Sequence, residues 1–258
     1  MIRNAHVIGM GRLGRHLADR LDALGVVTTR WNRSPQSDTQ LLTNWEADDV
    51  DAVFLAVSDD ALGNIADTVA PQLSDATWLV HHAGSVPKSI LGERERNAVL
   101  WPPMTFQSTA APDWQTMPMA VDAADASFQT WARTLAPSAF EVTDLQRQHL
   151  HLGAVLLGNL TAAWIGTVEA HLRNMGLTPE LLTPLVEASV SKALEGNALD
   201  TVTGPAARND RDTLTAQQSL LANADPDVAD LHQRLTQRIL THHGHDPLPP
   251  LQAAPRRD

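Results

Sequence analysis

Residues 5–14, Ala5-His6-Val7-Ile8-Gly9-Met10-Gly11-Arg12-Leu13-Gly14, decide the fold. A short apolar run ends in G-x-G-x-x-G, and Leu13, Leu17, Leu21 and Leu24 follow at spacings of four, four and three. That order reads as strand, glycine turn and amphipathic helix. Gly9 permits the tight turn, Gly11 lets backbone approach a pyrophosphate, and Gly14 lets helix and strand pack closely. The phosphates would then rest on the unpaired amides and positive dipole end of the helix. Gly9, Met10, Gly11, Arg12, Leu13 and Gly14 are therefore the first candidate cofactor contacts.

The next strand, residues 26–31, ends in Asn32-Arg33-Ser34, where an NAD-selective site would carry an acid for the adenosine ribose hydroxyls. Arg33 can instead pair with a 2′-phosphate as a charged fork, with Asn32 and Ser34 supplying neutral hydrogen bonds. Charge agrees. Residues 1–33 hold six arginines and two aspartates, a net of +4, inside a chain of formal charge −11. The expected cofactor is NADP(H), bound through Arg33 and less directly Arg12; Arg15 and Arg20 also read as a solvated helix face.

Residues 51–57 form a third strand, and the near-continuous apolar run fits a parallel sheet buried on both faces. Ser58-Asp59-Asp60 is read as the cap of a helix reaching Val69. Further strands are expected at 77–80, 98–101, 119–121 and 140–142, with a helix near 124–135. Alternating strands and helices give an α/β fold, a doubly wound Rossmann-like parallel sheet, and ligands in such sheets lie beyond the strands' carboxyl ends. Val57, Ser58 and Asp59, residues 81–85 and residues 101–106 are then candidate pocket walls. His81 stands equally as a packed core histidine or a contact to cofactor or substrate.

After about residue 143 the strand pattern stops. Leu150, Ala154, Leu157, Thr161, Trp164, Val168, His171 and Met175 recur at alternating spacings of four and three, a long helix packed against others. Leu152, Val155, Leu156 and Leu160 make its other flank apolar too, so it should be covered on most sides and suits a subunit interface. Ideal helical geometry sets His151 and Asn159 roughly 80° apart, near enough to border one cleft. Each also reads as a hydrogen-bonded core group. Thr178-Pro179 opens a second helix carrying Lys192 near its apolar side, and Arg208 lies in a loop that Asp210 or Asp212 closes as a cap. The expected domains are 1–145, an NADP-binding sheet; 146–243, an all-α domain for substrate and dimerisation; and 244–258, a disordered tail. His242-His243-Gly244-His245-Asp246 reads as a frayed helix end rather than a metal site.

The 258 residues include 19 Lys and Arg, 30 Asp and Glu, and 43% hydrophobic positions, enough for a sizeable core. The acidic balance excludes a general nucleic-acid or anionic-membrane binder. No apolar run is expected to approach a membrane span of about 18 residues, and no signal-peptide core is seen, so a cytoplasmic protein is expected. Cysteine and tyrosine are absent. That removes thiolate chemistry and a tyrosine proton donor, and lysine chemistry is confined to Lys88 and Lys192.

Seven ordered segments, VIGMGRLG, WNRS, FLAVSDDAL, VHHAGS, WPPMTF, HLGAVLLGN and TGPAARND, span residues 7–210. Together they resemble a family of Rossmann-like NADP oxidoreductases with a C-terminal helical domain of unassigned function. That family is similar to deazaflavin-dependent NADP oxidoreductases and to the 6-phosphogluconate and β-hydroxyacid dehydrogenase group. The resemblance implies a hydride-transfer site between a cofactor domain and a helical domain, a homodimer, and a small 2-oxo acid of the ketopantoate type as the first substrate to test. The chain departs from the family at Trp101, Ala83, Asn209 and Val155, the last standing where related enzymes carry a lysine four residues before the helix asparagine. The proton donors left are His151, Lys192, His81 or water. The mechanism read from this set uses His151 as acid, Asn159 to orient the carbonyl, and Lys192 or Arg208 to anchor a carboxylate. A non-catalytic NADP(H)-binding sensor or assembly protein, an imine reductase and a hydroxyacid dehydrogenase are the competing readings.

Overall fold

A computed structural model of the chain describes residues 1–34, 36–106 and 110–249. Contacts divide it into two compact units, Met1–Asn159 and Leu160–Asp258. The boundary thus falls inside the long helix, not at residue 145.

In the first unit the seven expected strands, joined by a short one at residues 40–41 that was not expected, form one eight-stranded sheet. They are β1 (Asn4–Ile8), β2 (Val27–Asn32), β3 (Gln40–Leu41), β4 (Ala52–Leu55), β5 (Trp78–His81), β6 (Asn97–Trp101), β7 (Met119–Ala123) and β8 (Ala139–Glu141). The order is β3-β2-β1-β4-β5-β6-β7-β8. Helices α1 (Arg12–Ala23), α2 (Asp59–Val69) and α3 (Ala126–Leu135) connect strands in this sheet. Alternation along each strand explains the double burial: Val7, Phe54, Val80 and Leu100 join the core with Leu17, Leu21 and Phe128, while Ile8, Val53, Leu55 and Leu79 join the one with Leu62 and Leu91.

The sheet differs from an all-parallel expectation at one seam. β7 runs antiparallel to β6, and β8 is parallel to β7. Parallel neighbours need a crossover, usually helical, whereas residues 102–118 contain no helix among those described. The chain doubles back instead. Ser58 occupies the N-cap position of α2 without a side-chain hydrogen bond, so it does not cap as expected; Asp59 and Asp60 in the first turn supply the favourable negative charge.

Helix α4 (Asp144–Ala154) opens with a capping box between Thr143 and Gln146. A π-helical turn, Val155–Asn159, follows without a break, and then α5 (Leu160–Asn174). The helical run Asp144–Asn174 is 31 residues long and, by length and composition alone, apolar enough to cross a bilayer. Small and polar residues interrupt its leucines, which hides its length in the bare sequence.

The second unit adds α6 (Thr183–Leu194), α7 (Ala198–Thr201), α8 (Arg211–Ala224) and α9 (Pro226–His242). Asp210 caps α8 through the Thr213 amide, one of the two residues expected to do so. The unit's core is small: Ala206, Leu214, Leu240 and Leu248 with Ile239 against them. No residue of α5 or α6 is buried. The expected cover of the long helix is therefore not supplied by the described residues. Residues 244–249 are held in place and are not a loose tail, since Arg211 bonds the Asp246 and Pro247 carbonyls and Gln237 accepts from the Leu248 amide. The rest of the expected tail, 250–258, lies outside the described residues. His242 pairs with Asp200 at 2.6 Å and His245 with the Ala207 carbonyl, so the histidine run is fixed within its unit. Among the described residues no group of three or more metal-ligating side chains occurs.

Candidate functional site

The glycine turn is built as the sequence demands. Gly9 sits at φ +101°, and a Cβ there would lie 2.5 Å from the Ala56 carbonyl oxygen. Only glycine fits both the angle and the approach of β4. A Cβ on Gly14 would collide with the Gly9 carbonyl, whereas one on Gly11 would meet nothing within 4 Å. Gly11, just ahead of α1, thus faces open space where a pyrophosphate could approach the helix amides, and the turn fits a dinucleotide.

Beside the turn lies a cavity of about 280 Å³, lined by Gly9, Met10, Gly11, Asn32, Arg33, Val57 and Ser58, with Leu42, Ala61 and Ile65 as apolar wall. Seven of the expected cofactor contacts therefore share one concavity. Asn32 braces it, accepting from the Met10 amide and donating to the Ser34 carbonyl. Arg33 is exposed at the rim and forms no ion pair among the described residues. The other arginines divide by task. Arg30 is neutralised by Asp19 and Asp22 at 2.9 and 2.6 Å, Arg20 bonds carbonyls ending α3, Arg15 binds Gln36, and Arg12 reaches the Phe106 carbonyl. Asp59 accepts from the Ser85 hydroxyl at 2.8 Å, tying the ends of β4 and β5 together.

Next along the strand ends, His151 on α4 rests on the turn after β5. A Cβ on Gly84 would lie 2.5 Å from His151 Nδ1 and 2.7 Å from the Trp101 ring. His151 and Trp101 meet edge to face, centroids 5.4 Å apart. The His151 Nδ1 is buried with no partner among the described residues. The structure thus brings His151 to the carboxyl ends of β5 and β6, on the same side of the sheet as the glycine turn.

His81 is wholly buried, its Nδ1 accepting from the Ala83 amide. Burial, then the nearby Arg147 and His82 charges, lower its pKa to about 3. It is a neutral core residue, so the packing alternative describes it and the substrate-contact one does not. His82 is similar: burial pushes its pKa down to about 4 although its ring bonds the Leu100 carbonyl at 2.7 Å. Asn159 is exposed in the π-helical turn. The i→i+5 winding changes the rotation per residue, so the 80° relation to His151 expected for an α-helix does not hold. Lys192 and Arg208 are exposed on the second unit, Lys192 in the last turn of α6 and Arg208 in the loop before α8.

One residue escaped the sequence reading. Arg147, one turn before His151, is the largest fully buried side chain. It donates to the carbonyls of Ala83, Gly84 and Val86 at 2.8, 2.6 and 2.7 Å and to Asp144. Its one local partner, Asp144, reads as an ordinary helix ion pair, and the carbonyls that bury it lie 61 to 64 residues away.

Residues 117–239 match a family described as a domain of unknown function (DUF2520). Among solved structures, the chain is similar to a Bacteroides fragilis protein described as a candidate NADP oxidoreductase, at 22% identity and TM-score 0.75 over 93% of this chain and 98% of that one. A protein from Thermotoga maritima matches at 18% identity and TM-score 0.75, covering 93% and 100%. An imine reductase from Myxococcus stipitatus in complex with NADP+ matches at 19% identity and TM-score 0.61, covering 95% and 96%. The chain therefore shares with these proteins the fold of a Rossmann-like sheet followed by a helical domain. No curated protein matches the chain.

Proposed function

We propose that the chain is an NADPH-dependent oxidoreductase that reduces the carbonyl of a small 2-oxo acid. The observation that carries this is the open glycine cradle with an unpaired Arg33 at its adenosine rim, in one unit with His151 at neighbouring strand ends. Gly9 to Gly14 would hold the pyrophosphate, and Arg33, with Asn32 and Ser34, the ribose 2′-phosphate. The bound cofactor supplies the hydride. His151 is the proton donor to the carbonyl oxygen, and Asn159 orients that carbonyl. The test is a fluorescence titration of NADPH and NADH, followed by turnover with a panel of 2-oxo acids and cyclic imines. Tighter binding of NADPH and its consumption with 2-oxo acids are expected; equal affinity for the two cofactors overturns the 2′-phosphate argument. NADPH binding with no turnover across the panel would favour the sensor alternative, and turnover of imines alone the imine reductase.

The same reading includes a homodimer. α5 and α6 expose Ile165 at 38%, Leu185 at 63% and Leu194 at 82%, and the groove between them is lined by Trp164, Val168, Leu172 and Val190. A unit whose core holds so few apolar side chains gains little from folding alone. A second copy would cover this face with its own, the isologous arrangement most dimers use. Light scattering should give twice the chain mass without detergent. A monomer at micromolar concentration refutes the dimer, and partitioning into neutral liposomes would assign the helix to a bilayer instead.

A further inference from the structure

The turn after β5 is held from behind by a buried cation, and that fixes which way its peptides face. Arg147 draws the carbonyls of Ala83 and Gly84 onto one guanidinium nitrogen, and that of Val86 onto the other. Asp144 balances the charge and also accepts from the Lys88 amide, so residues 83–88 are wrapped around the start of α4. In a trans peptide the N–H points opposite to the C=O that shares its plane. Carbonyls turned toward Arg147 therefore leave the Gly84 and Ser85 amides facing away from it, and neither amide has a partner among the described residues. Two successive outward amides form a small concavity that accepts negative charge. Gly84 is also the residue His151 leans on.

We infer that Arg147 is a positioning residue for a pair of oxygen-binding amides, those of Gly84 and Ser85, which receive the substrate's carbonyl oxygen beside His151. This rests on the reading of the site as one for NADPH-dependent reduction, and it narrows the substrate class. As hydride reaches the carbonyl carbon, the C–O π pair moves to oxygen, and that oxyanion takes the proton from His151. Amide donors already aimed at it stabilise the charge as it forms. A protonated imine carries an N–H donor and a positive charge where these amides need an acceptor, so the pair selects carbonyl compounds over iminium ions. Asp59 is bonded to the turn through the Ser85 hydroxyl, and its charge is held there at the N-terminus of α2.

The test is heteronuclear NMR of the full chain, labelled in glycine and serine, with and without NADP+. The probes are oxamate, a 2-oxo acid analogue, and pyrrolidinium, a cyclic ammonium of similar size. Oxamate should move the Gly84 and Ser85 amide protons downfield and pyrrolidinium should leave them unmoved. Arg147→Lys keeps the charge but cannot bridge three carbonyls, and should weaken oxamate by about tenfold while changing NADP+ affinity less than about twofold. Oxamate that fails to bind, or binds without moving either amide, overturns the inference; so does an Arg147→Lys protein that binds it as the wild type does. Should that variant not fold, the wild-type arm decides alone. Absence of NADP+ shifts at Gly9, Gly11 and Gly14 would overturn the cofactor reading instead, and the oxamate titration without cofactor keeps the two failures apart.

Discussion

Lowering the pH from about 7.5 to about 5 should remove about 4 kcal/mol from the first unit through His81 and His82 alone. Both are buried neutral in the folded chain, with pKa values of about 3 and about 4 against 6.5 when unperturbed. A base whose folded pKa is depressed is charged first in the unfolded chain. Stability is therefore complete above the unfolded pKa and is lost as pH falls from 6.5 toward the folded values. At about pH 5 the unfolded imidazoles are almost fully protonated and the folded ones almost not at all, a difference of about 1.5 decades, or about 2 kcal/mol for each residue. His6, in the same unit, is lowered by burial too and adds in the same direction. Urea unfolding followed by tryptophan fluorescence isolates the effect, because six of the seven tryptophans lie before residue 160. In the His81→Asn/His82→Asn protein most of the acid-dependent loss should vanish, leaving a flatter profile between the two pH values. A double variant as acid-sensitive as the wild type would show that neither ring is kept neutral by burial, and the argument would fail.

Three substitutions test the rest. Gly84→Ala drives a methyl group into His151 and Trp101, and overpacking of this kind should lower stability by about 1–3 kcal/mol in a thermal melt; an unchanged melting temperature would mean that the turn is not pressed between those rings. Arg33→Ala should weaken NADPH by about 10- to 100-fold, the worth of a charge-assisted hydrogen-bond pair, and leave NADH nearly unchanged. Equal losses for both cofactors would move the 2′-phosphate elsewhere. His151→Gln should abolish most turnover while retaining NADPH affinity, and a fully active variant would remove it as the donor.

What the sequence revealed and what it concealed divide by the range of the interactions. The glycine turn was legible because most of its requirements are local: a φ of +101° at Gly9, the contact of Gly14 with the Gly9 carbonyl and an open face at Gly11 lie within ten consecutive residues, whereas the approach of Ala56 to Gly9 and Gly14 is long-range. The Asp210 cap is local in the same sense. The reversal of β7 was not legible, since strand direction depends on whether the connection forms a helix, and alternating apolar residues look the same either way along the sheet. The π-helical turn was hidden for a related reason. Apolar spacings of three and four fit an α-helix on average, and one widened turn leaves that average almost untouched.

Arg147 shows the limit most plainly. A buried guanidinium is unfavourable by several kcal/mol unless carbonyls and a carboxylate surround it, and here three of its acceptors come from a turn 61 to 64 residues earlier in the chain. Sequence reading treats an arginine within an amphipathic helix as solvent-facing, which is right whenever no such shell exists. The informative sign was indirect. Residues 83–86, a small-residue turn after a buried strand, offer carbonyls that no strand ladder uses, and backbone acceptors buried without a ladder must find a donor elsewhere. Asking where those carbonyls go leads to Arg147. From there, through the fixed opposition of C=O and N–H within each peptide, it leads to the Gly84 and Ser85 amides on the other side of the turn.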